Sequence, residues 1–307
     1  MDLRSLICCC QSGRFSTGRA GYWTMVLLAL AGVTALALSL VPGLSYSRSS
    51  PDRSPGTPVL PHREGWELTW HDEFEGSQLD PTRWSVRAPG KRESAIISAA
   101  NVSLDGKGHL LLTTTEQDGV IHTGMIGSQG RFAQTFGRWE ARIKFQRMEG
   151  HHGSFWLQPD SSDKSVVSDA SKTGAEIDIV EWFGSDRRDG GTAANVYWPG
   201  PDGTKHHDGG PTDLQPVLPA GQELCEEFHV FAVEWSAEEY VFSIDGHVIF
   251  RTQQGVSHRP QYAILSLLCA DWESPRLDRS RLPEAMTVDY VRVYRRAEQQ
   301  VTLGENP

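Results

Sequence analysis

Gly174-Ala175-Glu176-Ile177-Asp178-Ile179-Val180-Glu181-Trp182-Phe183-Gly184 is the stretch on which the chain turns. Acids alternate with Ile177, Ile179 and Val180, the pattern of a strand with one wet face and one apolar face. A period of two puts Glu176 and Asp178 on the same face and Glu181 on the opposite one. A β-bulge within Ile179-Val180 restores the parity and gathers all three acids on one side. Three carboxylates on one strand face repel one another unless they are solvated, share protons or do chemistry. Two readings follow from the residues: an exposed acidic strand face, or a catalytic acid pair with a helper carboxylate.

The flanking sequence repeats the strand signal. Trp66–Trp70, Gly108–Thr115, Arg138–Phe145, Phe228–Trp235 and Thr287–Tyr294 alternate, and Ala263–Leu268 is continuously apolar. Tyr240–Ile244 and His247–Phe250 are joined by Asp245-Gly246, a hairpin signal. With no long helical period, the expected fold is all-β, a jelly-roll sandwich of two antiparallel sheets. Trp66, Trp70, Trp139 and Trp235 are expected in its core.

The ends divide the chain further. Ala20–Ser47 carries no charge, and Thr24–Val41 is almost wholly apolar. Residues 1–46 therefore read as a signal or membrane-anchor segment with an apolar helix, and residues 47–62 as a Pro/Ser-rich linker. The folded domain is expected over 63–296 and a polar tail over 297–307. The protein is then extracellular or at the cell surface, exported through or anchored by residues 20–47, with membrane contact through that segment alone.

Arg4, Arg14 and Arg19 face only Asp2 in residues 1–47, so the net charge of −10 becomes −12 over the remainder. Such a body argues against a nucleic-acid partner. It also disfavours polyanionic glycans, unless a local basic cleft overrides the total. Cys8, Cys9 and Cys10 precede the apolar run and read as free thiols; pairing of Cys225 with Cys269 is left open. His151-His152 and His206-His207-Asp208 lack a third ligand at fitting spacing, so no metal site is expected. No cofactor is required, a structural calcium is not readable, and nothing demands more than a monomer.

Taken together, several stretches resemble glycoside hydrolase family 16. His71-Asp72-Glu73-Phe74-Glu75-Gly76, followed by Leu79-Asp80 and Trp84, is similar to that family's opening segment. Phe136–Arg142 resembles its Tyr-Gly-x-x-Glu-Ala-Arg strand, and Val288–Tyr294 its last strand. Glu176-x-Asp178-x-x-Glu181 matches the bulged form of its catalytic strand, as in the laminarinase, agarase and carrageenase branches. Phe228-His229, Glu234-Trp235 and Asp245-Gly246 fall in order behind it.

The resemblance implies a retaining endo-β-glycanase acting on a polysaccharide, β-1,3-glucan first among them. Glu176 would be the nucleophile, Glu181 the acid/base and Asp178 the helper. It also implies cleft walls at Trp156 and Trp182. Tyr197 and Trp198 are further candidates for stacking on sugar rings, as is Trp272, although aromatics in a sandwich also serve as core. His229 reads either as a neighbour of the acids or as a structural histidine. Asn101 is a cleft residue or an ordinary turn residue. His152-Gly153-Ser154 stands where members acting on β-1,3-glucan carry Trp-Pro-Ala, a departure that removes one stacking wall. Transglycosylation by the same residues, and a non-catalytic carbohydrate-binding jelly roll, are the rival readings.

Overall fold

The computed structural model describes residues 63–160, 169–185, 191–200 and 204–297. The expected export segment, linker and tail lie outside them, apart from residue 297.

The described residues form two β-sheets packed face to face. The seven-stranded sheet runs Lys205–Pro211, Thr192–Pro199, Glu176–Trp182, His152–Pro159, Gln261–Leu268, Met125–Gly127 and Ser85–Val86. The central run of the eleven-stranded sheet is His247–Thr252, Tyr240–Ile244, His229–Trp235, Gly137–Lys144, Glu284–Arg296 and Leu110–Gln117. Trp66–Asp72 pairs with the far side of Glu284–Arg296. All pairs are antiparallel except Ala95–Ile97 with Val120–Thr123, which run parallel. The all-β, jelly-roll-like expectation is met.

The alternating residues meet between the sheets. Trp139, Phe231 and Phe242 from one sheet pack against Phe155, Ile177 and Leu265 from the other, all fully buried. Trp235 joins them, whereas Trp66 and Trp70 are only half-buried. Gln261–Leu268 is buried on both faces, in keeping with a run that is apolar but for Gln261 and Ser266. At the Tyr240–Thr252 hairpin, Asp245 and Gly246 take φ of 50° and 84°, the double left-handed turn that matches strand twist.

The opening acidic motif is a structural clamp. Asp72 accepts the Trp84 indole N–H at 2.8 Å and the Phe74 backbone N–H at 2.9 Å. Glu73 forms a bidentate pair with Arg292 of the last long strand, at 2.9 and 2.8 Å. Burial alone would raise the Glu73 pKa, but hydrogen bonds from His71 and Arg292 outweigh it and hold the carboxyl at about 2. Cys225 and Cys269 are both free thiols. Cys269 lies against the Gly150 carbonyl and Cys225 against the Ser185 hydroxyl.

A depressed folded-state pKa contributes stability that is complete above the unfolded value and lost as pH falls through the folded one. Wild type should therefore lose on the order of 2 kcal/mol through Glu73 between about pH 4.5 and pH 2, solvent screening included. Glu73→Gln should be less stable at neutral pH and lack that component. Denaturant titrations of the two proteins across the window check this; parallel pH profiles would contradict it.

Candidate active site

The acid strand carries the expected bulge. Against His152–Pro159, Phe155 pairs with Val180 while the next residue, Trp156, pairs with Asp178, so Ile179 is skipped. The other neighbour shows the same slip, with Asp178 opposite Asn195 and Glu181 opposite Ala193. Ile177, Ile179, Val180 and Trp182 all enter the inter-sheet core. Glu176, Asp178 and Glu181 all line one cleft on the outer face of the seven-stranded sheet, about 280 Å³ in volume.

Each acid has a different environment. Glu176 is fastened at both oxygens: Gln158 Nε2 donates to Oε2 at 2.7 Å, and Lys205 Nζ to Oε1 at 3.0 Å. Gln158 is itself held by the Arg87 guanidinium at 2.5 Å, and Lys205 lies 3.9 Å above the Tyr197 ring. Asp178 is buried at the cleft floor. Burial, then the charges of Glu181 and Glu176, raise its pKa well above the ordinary aspartate value. Glu181 is also raised, by burial and by Glu176, against the opposing hydrogen bond from Asn195 Nδ2 at 2.8 Å. Desolvation first, then the three carboxylates, push the Tyr197 hydroxyl up to about 12. Asp178 and Glu181 thus both favour the protonated form.

The remaining candidates divide. Tyr197 lines the cleft beside Glu176, and with Lys205 it separates the main cleft from a second compartment of about 390 Å³ bounded by Gln158, Pro159 and Trp198. Trp198 is half-buried there, its ring packed over Gly255. Trp156 is only 6 % exposed and donates its indole N–H to Ser266 at 3.1 Å, so it is floor more than wall.

Three placements correct the sequence reading. Trp182 is 2 % exposed in the core and donates to the Gln146 carbonyl at 2.7 Å. The parity that turns Glu181 outward turns its neighbour inward. His229 lies on the other sheet, its Nδ1 2.7 Å from the Asp245 carboxylate at the hairpin turn, and it does not line the cleft. Asn101 is buried beneath a short turn, donating to Thr113, Thr115 and the His122 carbonyl. It too is absent from the cleft lining.

Residues at the acids that the sequence reading did not single out as a site include Lys205, Arg92 and Ser266 in the cleft lining, and Asn195 and Gln158, which hydrogen-bond Glu181 and Glu176. Asn195 alone had a local signal, an Asn amid apolar neighbours in Ala193–Val196; the others arrive through strand pairing between distant segments. Where the Trp-Pro-Ala of the resembling family is missing, His152 stacks with Trp272 at 6.1 Å, and Phe183 packs 5.5 Å from Trp272. An aromatic wall is rebuilt from other segments. Among the described residues, no group of three or more His, Cys, Asp or Glu is placed to hold a metal ion.

A two-sheet fold with three carboxylates along an outer cleft has the equipment of a glycosidase, which needs a paired acid and nucleophile. Comparison with known proteins defines the family: the model for "Glycosyl hydrolases family 16" matches residues 90–292, and the chain belongs to that family. It is 25 % identical over 282 residues to glucan endo-1,3-beta-glucosidase A1 of Niallia circulans, covering 80 % of this chain and 40 % of that protein. It is 28 % identical over 288 residues to a beta-glucanase of Rhodothermus marinus, covering 85 % of this chain and 94 % of the relative. The X-ray structure of the laminarinase from Rhodothermus marinus superposes with a TM-score of 0.60 at 24 % identity, over 78 % of this chain and all of that one. This last likeness supports the fold.

The Asn195 bond favours the charged form of Glu181, so removing it leaves the carboxyl protonated to higher pH. If Glu181 is the acid, Asn195→Ala should move the alkaline limb of kcat/KM upward by on the order of one pH unit. A pH–rate profile of the variant checks this, and an unmoved or lowered limb would contradict it.

Proposed function

We propose that the protein is a retaining endo-β-glycanase that cuts internal β-glycosidic bonds of a polysaccharide by double displacement. β-1,3-Glucan is the backbone suggested by the name of one relative, glucan endo-1,3-beta-glucosidase A1. The observation that carries the reading is the bulge at Ile179-Val180, which sets Glu176, Asp178 and Glu181 in one cleft with different environments.

Glu176 is the nucleophile in this reading. Its two donors fix the carboxylate's orientation, and Lys205 supplies a cation beside the charge that attack on the anomeric carbon consumes. Glu181 is the acid/base: its raised pKa keeps the proton available for the departing glycosidic oxygen. Once the glycosyl–Glu176 ester has formed, the deprotonated Glu181 takes a proton from the incoming water, and hydrolysis restores both groups. Retention requires the two carboxyl groups to approach within about 5–5.5 Å of each other, and the bulge serves it by putting both in one cleft. Asp178 is the helper; held toward its protonated form, it can donate to Glu176 as that residue leaves the sugar. The same residues serve a transglycosylase if a sugar hydroxyl replaces water.

The export reading of residues 20–47 belongs to the same proposal, since a polysaccharide this large lies outside the cell. So do a monomeric state and independence from any cofactor.

Residues 63–307 should release reducing ends from one member of a panel of β-glucan, agar, carrageenan and xylan. Glu176→Gln should lose about 10³-fold or more in kcat, and Glu181→Gln about 10²- to 10⁴-fold. Longer products without new reducing ends would indicate transfer. Full activity in either variant would overturn the assignment.

A further inference from the structure

Glu176 stands at the end of a row of side chains that begins at the far edge of its sheet. Arg87 follows the Ser85–Val86 strand and is anchored by its backbone N–H to the Met125 carbonyl at 2.9 Å. Its stem passes Gly127, where a Cβ would stand 3.3 Å from Arg87 Cδ, so the glycine leaves it a path. The guanidinium then meets groups from the next two strands. Nε and Nη2 donate to the Tyr262 hydroxyl at 3.2 and 3.0 Å, and Nη2 donates to Gln158 Oε1 at 2.5 Å. Arg87 Cζ lies 5.3 Å from the centre of the Trp156 ring. Gln158 and Tyr262 are register partners, and the Tyr262 hydroxyl donates to the same amide oxygen at 3.3 Å.

These bonds decide which end of the Gln158 amide faces Glu176. A guanidinium has donors and no acceptor, so the amide oxygen is the end that meets it. The amide nitrogen is thereby turned to Glu176 Oε2, 2.7 Å away. Reversed, the amide would set its oxygen against a carboxylate and its N–H groups against a cation. A charged donor on the oxygen also polarises the amide and strengthens the bond that its N–H makes. Among the described residues, the charged and titratable groups facing Glu176 are Asp178 and Glu181 on its own strand, Tyr197 opposite it, and Lys205. The Lys205 side chain is 61 % exposed, a mobile point charge on a flexible stem. Arg87, by contrast, is packed against Trp156 and Tyr262. The fixed support of the carboxylate comes from the Gln158 side.

We propose that Arg87 is a positioning residue for the glycosidase reaction: through the Gln158 amide it fixes the orientation of the Glu176 carboxylate and favours its charged form. The proposal rests on the assignment of Glu176 as nucleophile. Arg87 acts by holding one amide in one sense, not by touching the sugar.

The test compares Arg87→Met, Arg87→Lys, Gln158→Leu and the double variant Arg87→Met with Gln158→Leu against wild type. Methionine keeps an apolar stem beside Trp156 and Tyr262 without a donor, and lysine restores the charge with a different donor geometry. On the panel glycan that wild type cuts, Arg87→Met should lose about tenfold in kcat, with KM changed less than about threefold. Its acidic limb of kcat/KM should move upward by on the order of half to one pH unit, since the lost bond favoured the carboxylate. Arg87→Lys should recover most of both effects. The double variant should be no worse than Gln158→Leu alone, because the two residues act as one unit. Carboxyl-carbon NMR follows Glu176 directly, and its titration should move upward in Arg87→Met as the limb does. If Arg87→Met does not fold, Arg87→Gln, neutral and polar, replaces it, with a shift in the same direction expected. Lower thermal stability with an unmoved limb and an unmoved NMR titration would make Arg87 a packing residue and overturn the proposal. Additive losses in the double variant would overturn it as well. No turnover of any panel glycan by wild type would instead sink the glycanase reading, and the NMR titration would then decide by itself whether Arg87 governs Glu176.

Discussion

The site depends on one inserted residue in one strand. A regular Glu176–Trp182 strand would drive the Glu181 carboxyl into the inter-sheet core, where an unpaired charge costs several kcal/mol. The bulge at Ile179-Val180 sends two consecutive apolar residues inward, and their burial offsets the interrupted ladder. Both neighbouring strands register the slip. The constraint is thus shared by the centre of the sheet, and the sandwich core holds the acid row in place.

Once the three carboxylates share a cleft, electrostatics assigns them different tasks. Two like charges beside a third raise the cost of ionising all of them, and burial adds to it. The surroundings resolve this unequally. Among the described residues, Glu176 receives a lysine and an amide, Glu181 an amide, and Asp178 lies deepest with no such hydrogen bond. A nucleophile needs to be ionised and an acid protonated at the same pH, and unequal support of neighbouring carboxyls is how one cleft achieves both.

Much of this was legible in the sequence because it is written locally. Alternation marked the strands, Asp245-Gly246 the hairpin, and the odd spacing of Glu181 required a bulge that the structure contains. What failed was non-local. His229 adjoins an apolar strand whichever sheet that strand joins, and its partner Asp245 emerges only when the hairpin folds back. Asn101 read as a cleft residue or a turn residue, and its acceptors come from two later strands, Leu110–Gln117 and Val120–Thr123. Trp182 was a failure of a different kind: the parity argument that turns Glu181 outward already sends Trp182 inward, and the expected cleft wall overlooked it. Lys205 and Arg92 carried no local mark because their meaning lies in what they face.

The central claim concerns protons, and carboxyl-carbon NMR titration of Glu176, Asp178 and Glu181 in the folded domain tests it most directly. Asp178 and Glu181 should titrate above ordinary aspartate and glutamate values, in coupled steps. Both should move down in Glu176→Gln, because the Glu176 charge is among the causes that raise them. Ordinary, independent titration of Asp178 and Glu181, unmoved by that substitution, would contradict the account.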